Sequence, residues 1–247
     1  MKLGDSVALV TGAAQNIGLG IATELAERGC RVVGLDLNAA QLAQVSGERL
    51  WGLPCDVADP AAVAAALDAV TTRFGRIDLL VNAAGWICSA PLFNLLGKDN
   101  ARHDLATWDK ALRLNLTSVF VMSSHVVERM VRSRTRGLIV NISSIMAGGN
   151  PGQSAYSAAK AGVEALAVTW ARELGGFGIR VVSIAPGFID TPSTRQGLTP
   201  ERLEEWVRRT PLRRLGTVDE VARAVVYAAE NDFVTGTVLE VAGGLST

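Results

Sequence analysis

A short apolar run that ends in a glycine-rich turn restricts the fold of this chain more than any other feature. Residues 7–10 contain no polar side chain, which is typical of a central parallel strand buried on both faces. The turn that follows has glycines at positions 12, 18 and 20 and opens a helical pattern that ends near Gly29. Glycine lets the backbone approach a pyrophosphate, and a helix N-terminus stabilises its charge, so we interpret the segment as a dinucleotide-binding turn. Glycines between a strand and a helix are also common loop residues, and the interpretation therefore depends on the rest of the chain.

The alternation of apolar strand and amphipathic helix continues to the C-terminus. Further strands are predicted over residues 31–35, 49–53, 77–81, 137–142, 179–184 and 238–241, and helices over 60–74, 107–134, 201–209 and 217–230. Another helix is predicted to contain residues 156 and 160 and to end near residues 175–176. Seven strands alternating with helices predict an α/β fold with a doubly wound, parallel, seven-stranded sheet in a single domain of residues 1–247. Ligands of such folds bind at the carboxyl ends of the strands.

The charge balance and the cysteine count limit the classes of ligand that this chain is expected to bind. The 24 basic residues equal the 24 acidic ones, and no basic run stands out, so we expect a small-molecule ligand and neither nucleic acid nor a membrane as partner. Three scattered cysteines are too few for a disulfide framework or a zinc site. With no leader or membrane-spanning segment recognisable in the sequence, these features predict a cytoplasmic protein without a metal.

An acidic residue stands at the predicted end of the second strand. Asp36 follows Gly12 by 24 positions, and a carboxylate at this place binds both hydroxyls of an adenosine ribose and repels a 2′-phosphate. No arginine or lysine stands beside Asp36, and position 15 is Gln15 and not a basic residue, so no cation is available to hold such a phosphate. We therefore predict NAD as the cofactor, although aspartate is also an ordinary turn residue.

One helix carries a tyrosine and a lysine four positions apart. Tyr156 and Lys160 leave the same face of the helix, one turn from each other. A nearby cation favours the phenolate and lowers the tyrosine pKa, so the pair is a candidate general acid and base. Both residue types are ordinary on a helix surface, and the spacing alone is weak support. Asn115, inside the apolar stripe of an earlier helix, needs a partner if buried, and neighbouring backbone is the simplest one.

Together these segments resemble the short-chain dehydrogenase/reductase family over nearly the whole chain. The family's T-G-x-x-x-G-x-G turn corresponds to residues 11–18, with Asn16 in place of the central glycine. Asparagine tolerates positive φ better than other non-glycine residues, so the turn can form. The N-N-A-G motif corresponds to residues 82–85, without its second asparagine. The resemblance implies a Rossmann fold, and assembly as a homotetramer or with a homologous subunit.

The resemblance also implies a cofactor site and an active site. It assigns cofactor binding to Gly12, Gln15, Asn16, Ile17, Gly18, Asp36, Leu37, Asp56, Val57, Asn82, Ala83, Ala84, Gly85, Tyr156, Lys160, Pro186, Gly187, Ile189 and Thr191. Among these, Asp56 would meet the adenine amino group, and Pro186, Gly187 and Thr191 would hold the nicotinamide carboxamide.

The implied catalytic residues are Asn115, Ser144, Tyr156 and Lys160. Tyr156 would exchange the proton, Ser144 would bind the substrate oxygen, Lys160 would lower the tyrosine pKa and bind the nicotinamide ribose, and Asn115 would hold a water. The family's usual spacing points to Ser143 instead, but the strand register points to Ser144. We favour the register, because a one-residue slip turns a side chain to the other face of the sheet.

The substrate should meet two irregular regions, at about residues 86–107 and 188–211. Residues 92–98 resemble an insertion in short-chain 3-hydroxyacyl-CoA dehydrogenases, as do residues 230–233. Lys98, Arg102 and His103 either contact the phosphates of a coenzyme A thioester or form a solvated loop. We therefore expect NAD-dependent interconversion of a secondary alcohol and a ketone, with a 3-hydroxyacyl-CoA or related β-hydroxy thioester as substrate, and oxidation as the favoured direction. A non-thioester alcohol or cyclic polyol is the alternative substrate, and a non-catalytic NAD-binding subunit or scaffold is the alternative of another class.

Overall fold

Seven parallel strands form one sheet in the computed structural model of the protein, which describes residues 1–94 and 101–246. The strands are β1 (Val7–Thr11), β2 (Arg31–Asp36), β3 (Leu50–Pro54), β4 (Leu79–Asn82), β5 (Leu138–Ile142), β6 (Arg180–Pro186) and β7 (Thr237–Val241). Their order across the sheet is β3-β2-β1-β4-β5-β6-β7, and every neighbouring pair is parallel. The predicted single-domain α/β fold with a doubly wound sheet is confirmed.

Helices connect the strands on both faces of the sheet. They are α1 (Asn16–Glu27), α2 (Ala39–Val45), α3 (Pro60–Phe74), α4 (Leu105–Leu112), α5 (Ser118–Arg132), α6 (Ser154–Leu174), α7 (Pro192–Gly197), α8 (Pro200–Arg209) and α9 (Val218–Glu230). A π-helix, Arg113–Thr117, joins α4 to α5, where the sequence predicted one continuous helix. Helices α2 and α7 were not predicted, because seven and six residues are too few for a clear helical period.

Local capping residues define several helix ends as the sequence predicted. Asp59 accepts a hydrogen bond from Ala61 N and precedes Pro60 at the first position of α3. Thr217 and Glu220 form a reciprocal capping box at the start of α9. These caps supply partners for backbone N–H groups that an isolated helix end leaves unpaired.

Two apolar clusters cover the two faces of the sheet. In β1, Ala8 and Val10 belong to the cluster that packs against α1 and α9, whereas Val7 and Leu9 belong to the cluster that packs against α3 and α5. All five residues of β1 are buried. The strand is apolar throughout because both of its faces lie inside the protein.

The chain order of the strands reverses between β1 and β4. From β1 the sheet grows through β2 to β3, and from β4 it grows in the opposite direction to β7. Connections on the two sides therefore diverge above the carboxyl ends of β1 and β4, which creates the crevice where ligands of doubly wound folds bind. No helix among the described residues is long and apolar enough to cross a membrane.

Candidate active site

The glycine turn follows β1 and reaches the crevice. Gly12 has φ +67°, and a Cβ atom there would lie 2.9 Å from the Cα atom of Ala84, so only glycine fits. A Cβ atom on Gly18 would lie 2.1 Å from the carbonyl oxygen of Gly12. Asn16 adopts φ +50°, the left-handed conformation that the turn requires at this position. Gln15 is the N-cap residue of α1 and makes no side-chain capping bond. The turn therefore has the close backbone packing and the exposed helix N-terminus that suit a pyrophosphate.

Asp36 lies beside this turn at the end of β2. Its Oδ2 atom accepts a hydrogen bond from Ala14 N at 3.1 Å, and its Oδ1 atom accepts one from Asn38 N at 3.0 Å. These two bonds fix the carboxylate plane, and each oxygen keeps a further lone pair. The fixed, partly exposed carboxylate fits the hydroxyls of a ribose, and its negative charge opposes a phosphate at the same place. Leu37, the next residue, is exposed.

Asp56 follows β3 at the same edge of the sheet. Its Oδ1 atom accepts from Ala58 N at 2.9 Å, and its Oδ2 atom pairs with Arg113 of the π-helix at 3.1 Å. Val57 is buried against the core. The Arg113 contact was not predicted, because the two residues are 57 positions apart and no spacing pattern connects them.

The segment after β4 is tied to the end of β1. The hydroxyl oxygen of Thr11 accepts hydrogen bonds from the N–H groups of Ala83 and Ala84, both at 3.0 Å. Asn82 donates from Nδ2 to Asn141 Oδ1 at 2.9 Å within the core. A Cβ atom on Gly85 would lie 2.8 Å from Asn115 Oδ1, so glycine is needed here for the helix to approach.

Asn115 lies inside the π-helix and is fully buried. Its Oδ1 atom accepts from Trp86 N at 3.0 Å, and its Nδ2 atom donates to Trp86 O at 2.8 Å and to Ala111 O at 3.0 Å. The side chain thus binds neighbouring backbone, which was the simplest expectation. It joins the π-helix to the segment after β4, and π-helical turns of this kind are frequent at functional sites.

The serine, tyrosine and lysine converge at the carboxyl end of β5. The Ser144 side chain lies beside the Tyr156 phenol, and its Oγ atom accepts a hydrogen bond from Met146 N at 3.2 Å. Ser143 instead donates from Oγ to Glu164 Oε1 at 2.8 Å, away from the phenol. Lys160 donates from Nζ to the carbonyl oxygen of Ile142 at 2.8 Å. Ser143 and Ser144 thus have different partners, because successive residues after β5 point in opposite directions.

Burial controls the ionisation of the tyrosine and the lysine. It raises the pKa of Tyr156 to about 12, against the opposing effect of the nearby Ser144 side chain. It lowers the pKa of Lys160 to about 8. The sequence predicted that Lys160 would lower the tyrosine pKa, whereas the ammonium is directed at Ile142 O and lies 5.7 Å from the tyrosine ring centroid. The phenol of Tyr156 is therefore protonated at neutral pH.

The segment after β6 completes the crevice. Gly187 donates from its N–H to Val241 O at 3.0 Å, and a Cβ atom there would lie 2.9 Å from Ala242 Cα. Pro186 is the last residue of β6, and Ile189 and Thr191 are buried. The Thr191 hydroxyl caps α7 by accepting from Thr194 N at 3.1 Å. Each cofactor segment predicted from the sequence thus lies at the carboxyl edge of the sheet.

Four aromatic side chains from separate parts of the chain share an apolar cluster with Tyr156. Trp86, Trp108, Phe188 and Trp206 pack against the apolar cluster that contains it. The Phe188 and Trp206 rings stack with centroids 4.2 Å apart, and Lys110 Nζ lies 4.2 Å from the Trp86 ring centroid. We call these four aromatic side chains the aromatic wall. The sequence did not predict it, because its residues come from four segments that only the fold brings together.

The predicted phosphate contacts are only partly within the described residues. Lys98 lies outside them. Arg102 and His103 lie where the two ends of the irregular segment form backbone hydrogen bonds with each other. Asn94 N donates to Ala101 O at 2.7 Å, and His103 N donates to Leu92 O at 3.0 Å. The pairing brings both ends of the segment together ahead of α4.

Comparison with known proteins gives relatives that match from end to end. The model of a family described as enoyl-(acyl carrier protein) reductase matches residues 12–246. The 3-oxoacyl-[acyl-carrier-protein] reductase FabG of Thermotoga maritima is 38% identical over 256 residues, and that of Escherichia coli K12 is 36% identical over 251 residues; each alignment covers 99% of both chains. A solved structure, described as the crystal structure of gox2181, superposes with a TM-score of 0.89 at 34% identity and covers 98% of this chain and 97% of that one.

Proposed function

The chain belongs to the short-chain dehydrogenase/reductase family, and on this premise we propose that it is an NAD-dependent oxidoreductase that interconverts 3-hydroxyacyl and 3-oxoacyl thioesters. The observation that carries the proposal is that Ser144 lies beside the buried phenol of Tyr156, with the buried Lys160 ammonium one helical turn away, at the carboxyl edge of the sheet. A phenol and a hydroxyl that lie side by side can both reach a single substrate oxygen.

The protein residues would handle the proton and the charge on that oxygen. Tyr156 would give its proton to the ketone oxygen during reduction and take it back from the alcohol during oxidation. Ser144 would bind the same oxygen and stabilise the negative charge that develops on it. Lys160, held on the Ile142 carbonyl, would keep a positive charge close to the phenol as it loses its proton. The nicotinamide, when bound, supplies the hydride chemistry.

The same edge supports the choice of nicotinamide cofactor. The uncapped N-terminus of α1 and the glycine turn suit the pyrophosphate, and the fixed carboxylate of Asp36 suits an unphosphorylated ribose. Asp56 and Val57 would line the adenine site, and the backbone around Gly187 together with Thr191 would meet the carboxamide. We assign the cofactor as NAD on the charge of Asp36.

Two observations support a thioester substrate. Relatives that match the whole chain are named as reductases of 3-oxoacyl groups on acyl carrier protein. Against the apolar cluster that contains Tyr156, the wall formed by Trp86, Trp108, Phe188 and Trp206 would give an apolar surface for an acyl chain. The carrier would then be coenzyme A or acyl carrier protein, because both attach the acyl group through the same phosphopantetheine thioester. We place the enzyme in the cytoplasm, where both carriers occur.

The test is a nicotinamide-coupled assay of the purified protein. 3-Hydroxybutyryl-CoA, the same acyl group on acyl carrier protein, free 3-hydroxybutyrate, a simple secondary alcohol and a cyclic polyol are compared with NAD and with NADP. We expect turnover of the thioesters with NAD. Turnover of the free alcohol or polyol alone would instead select the alternative substrate.

The Tyr156→Phe variant separates catalysis from cofactor binding. It removes the acidic hydroxyl and keeps the ring packing, so we expect turnover to fall by about 100-fold or more while NADH binding is unchanged. NADH binding is measured by fluorescence titration. NAD binding without tyrosine-dependent turnover of any of these substrates would mean that the protein is a non-catalytic cofactor-binding subunit.

A further inference from the structure

One side-chain hydrogen bond joins the cofactor turn to the segment beyond β6. Asn16 donates from Nδ2 to the hydroxyl oxygen of Ser193 at 2.8 Å, although the two residues are 177 positions apart. Asn16 is the first residue of α1, and Ser193 lies in the first turn of α7. Neither residue lies in the apolar core, so packing does not force the two together.

The sheet order shows what this bond spans. β1 and β6 are separated by β4 and β5, a distance of three strand spacings or about 14 Å. The turn after β1 and the segment after β6 therefore meet only by arching over the carboxyl ends of the two strands between them. Those ends carry the Asn82–Gly85 segment and Ser144. The Asn16–Ser193 bond thus joins the segments that follow β1 and β6 across the crevice.

Asparagine suits this position for two separate reasons. Its backbone has φ +50°, which glycine and asparagine accept more easily than other residues. Its amide also supplies the donor that reaches α7, which glycine lacks. On the other side, Thr191 fixes the start of α7 through its bond to Thr194 N, so Ser193 is held in reach of the turn.

We propose that Asn16 is a positioning residue that holds α7 over the bound cofactor and slows its release. The inference rests on the proposed function, since it requires a dinucleotide in the crevice. When the Asn16–Ser193 hydrogen bond breaks, α7 can move, and the dinucleotide can leave past its pyrophosphate. In enzymes of this kind, opening of such a cover and product release often set the turnover rate.

Three variants test the bond: Asn16→Gly, Ser193→Ala and the double variant. NADH release is measured by stopped-flow displacement from the purified protein. Loss of one neutral hydrogen bond should make NADH release about 2- to 10-fold faster in each single variant. The double variant is expected to release NADH no faster than the single ones, because both remove the same bond. The KM for NAD should rise with the release rate.

Two further measurements separate the bond from general stability and from the proposed function. Asn16→Gly keeps the left-handed backbone at no steric cost, so its melting temperature should not fall. Hydrogen exchange of α7 without any cofactor should accelerate in both single variants, and this readout holds even if the protein binds no nicotinamide. Gln196→Ala, an exposed change in the same helix, is the control and should alter neither rate.

The proposal is overturned if Asn16→Gly and Ser193→Ala leave NADH release and α7 exchange at the rates of the unaltered protein. Additive effects in the double variant would also overturn it, because they would show that the two side chains act independently. Failure to bind NADH, combined with accelerated exchange in the single variants, would contradict the proposed function and the cofactor-retention role while confirming the contact itself.

Discussion

The ionisable side chains at the centre of the site are governed by burial more than by each other. Burial disfavours the charged form of each residue, which raises the pKa of Tyr156 and lowers that of Lys160. The Ile142 carbonyl, to which Lys160 donates, partly compensates the ammonium for lost water. The pKa of Lys160, about 8, therefore lies close to neutral pH.

The lowered pKa of Lys160 predicts how stability depends on pH. Its pKa is about 8 in the folded protein and 10.5 as the reference value, so the unfolded chain binds more protons between these values. The free energy of unfolding should therefore rise with pH in this window, by about 2 kcal/mol from pH 8 to pH 10 relative to Lys160→Met. Urea unfolding of both proteins at several pH values measures it. Above pH 10 the raised pKa of Tyr156 makes the free energy of unfolding fall with pH, so the comparison stops at pH 10. Parallel curves for the two proteins would contradict the assignment.

The charge of Asp36 makes a separate prediction about cofactor choice. Asp36→Asn keeps one side-chain oxygen, which can accept one of the two bonds from Ala14 N and Asn38 N, and removes the negative charge. We expect the preference of kcat/KM for NAD over NADP to fall by about tenfold or more, since close like charges repel by one or more kcal/mol. Steady-state assays with both cofactors measure the ratio. Asp59→Asn, at the N-cap of α3, is the matched control and should leave the ratio unchanged. An unchanged ratio in Asp36→Asn would show that another group selects the cofactor.

At the scale of elements, the π-helix is the connection that brings two parts of the site together. Asn115 carries three hydrogen bonds between this helix and neighbouring backbone, and Arg113 reaches Asp56 from the same turn. A regular α-helix over these residues would rotate one of the two side chains away from its partner, because each turn would hold fewer residues.

Removal of the Asn115 amide should therefore destabilise the protein and the site together. Asn115→Ala leaves the N–H of Trp86 without its bond in a partly buried place, and we expect a loss of about 2–4 kcal/mol in the free energy of unfolding. Chemical denaturation measures this loss. Ser118→Ala, which removes a bond to Leu114 O within the same helical stretch, is the control and should cost about 1 kcal/mol or less. Equal losses in the two variants would show that the Trp86 contacts contribute little.

At the scale of the whole molecule, α5 and α6 present aromatic side chains to the surface. Phe120 is 53% exposed and lies with its ring centroid 6.3 Å from that of Trp170. β7 is an edge strand that pairs with β6 on one side. Exposed apolar groups on long helices beside an open sheet edge are typical of a surface that a second subunit covers. We propose assembly as a homotetramer through α5, α6 and β7.

A charged residue at this surface should therefore break the assembly. Phe120→Asp places a carboxylate where we expect a second subunit, so the molar mass measured by light scattering during size-exclusion chromatography should fall to that of a smaller species. Circular dichroism of the variant checks that the fold is kept. A monomeric unaltered protein, or a folded variant of unchanged mass, would rule out this surface as the interface.

The sequence by itself determined the sheet and the chemistry available at its edge. Unbroken apolar runs predicted strands buried on both faces, and the residues just after them, among them Gly12, Asp36 and Ser144, were predictable because parallel strands end at one edge. Strand boundaries were predicted to within two residues. Capping of α9 was predictable as well, because a capping box is local.

Only the tertiary structure decided the contacts between distant segments. Four features depend on elements that are far apart in the chain. They are the direction of the Lys160 ammonium, the backbone bonds of Asn115, the wall of four aromatic side chains and the Asn16–Ser193 bond. Periodicity and spacing report which face of its own element a residue occupies. They do not report which side chain from another element meets it, since that depends on how helices and loops pack on the sheet.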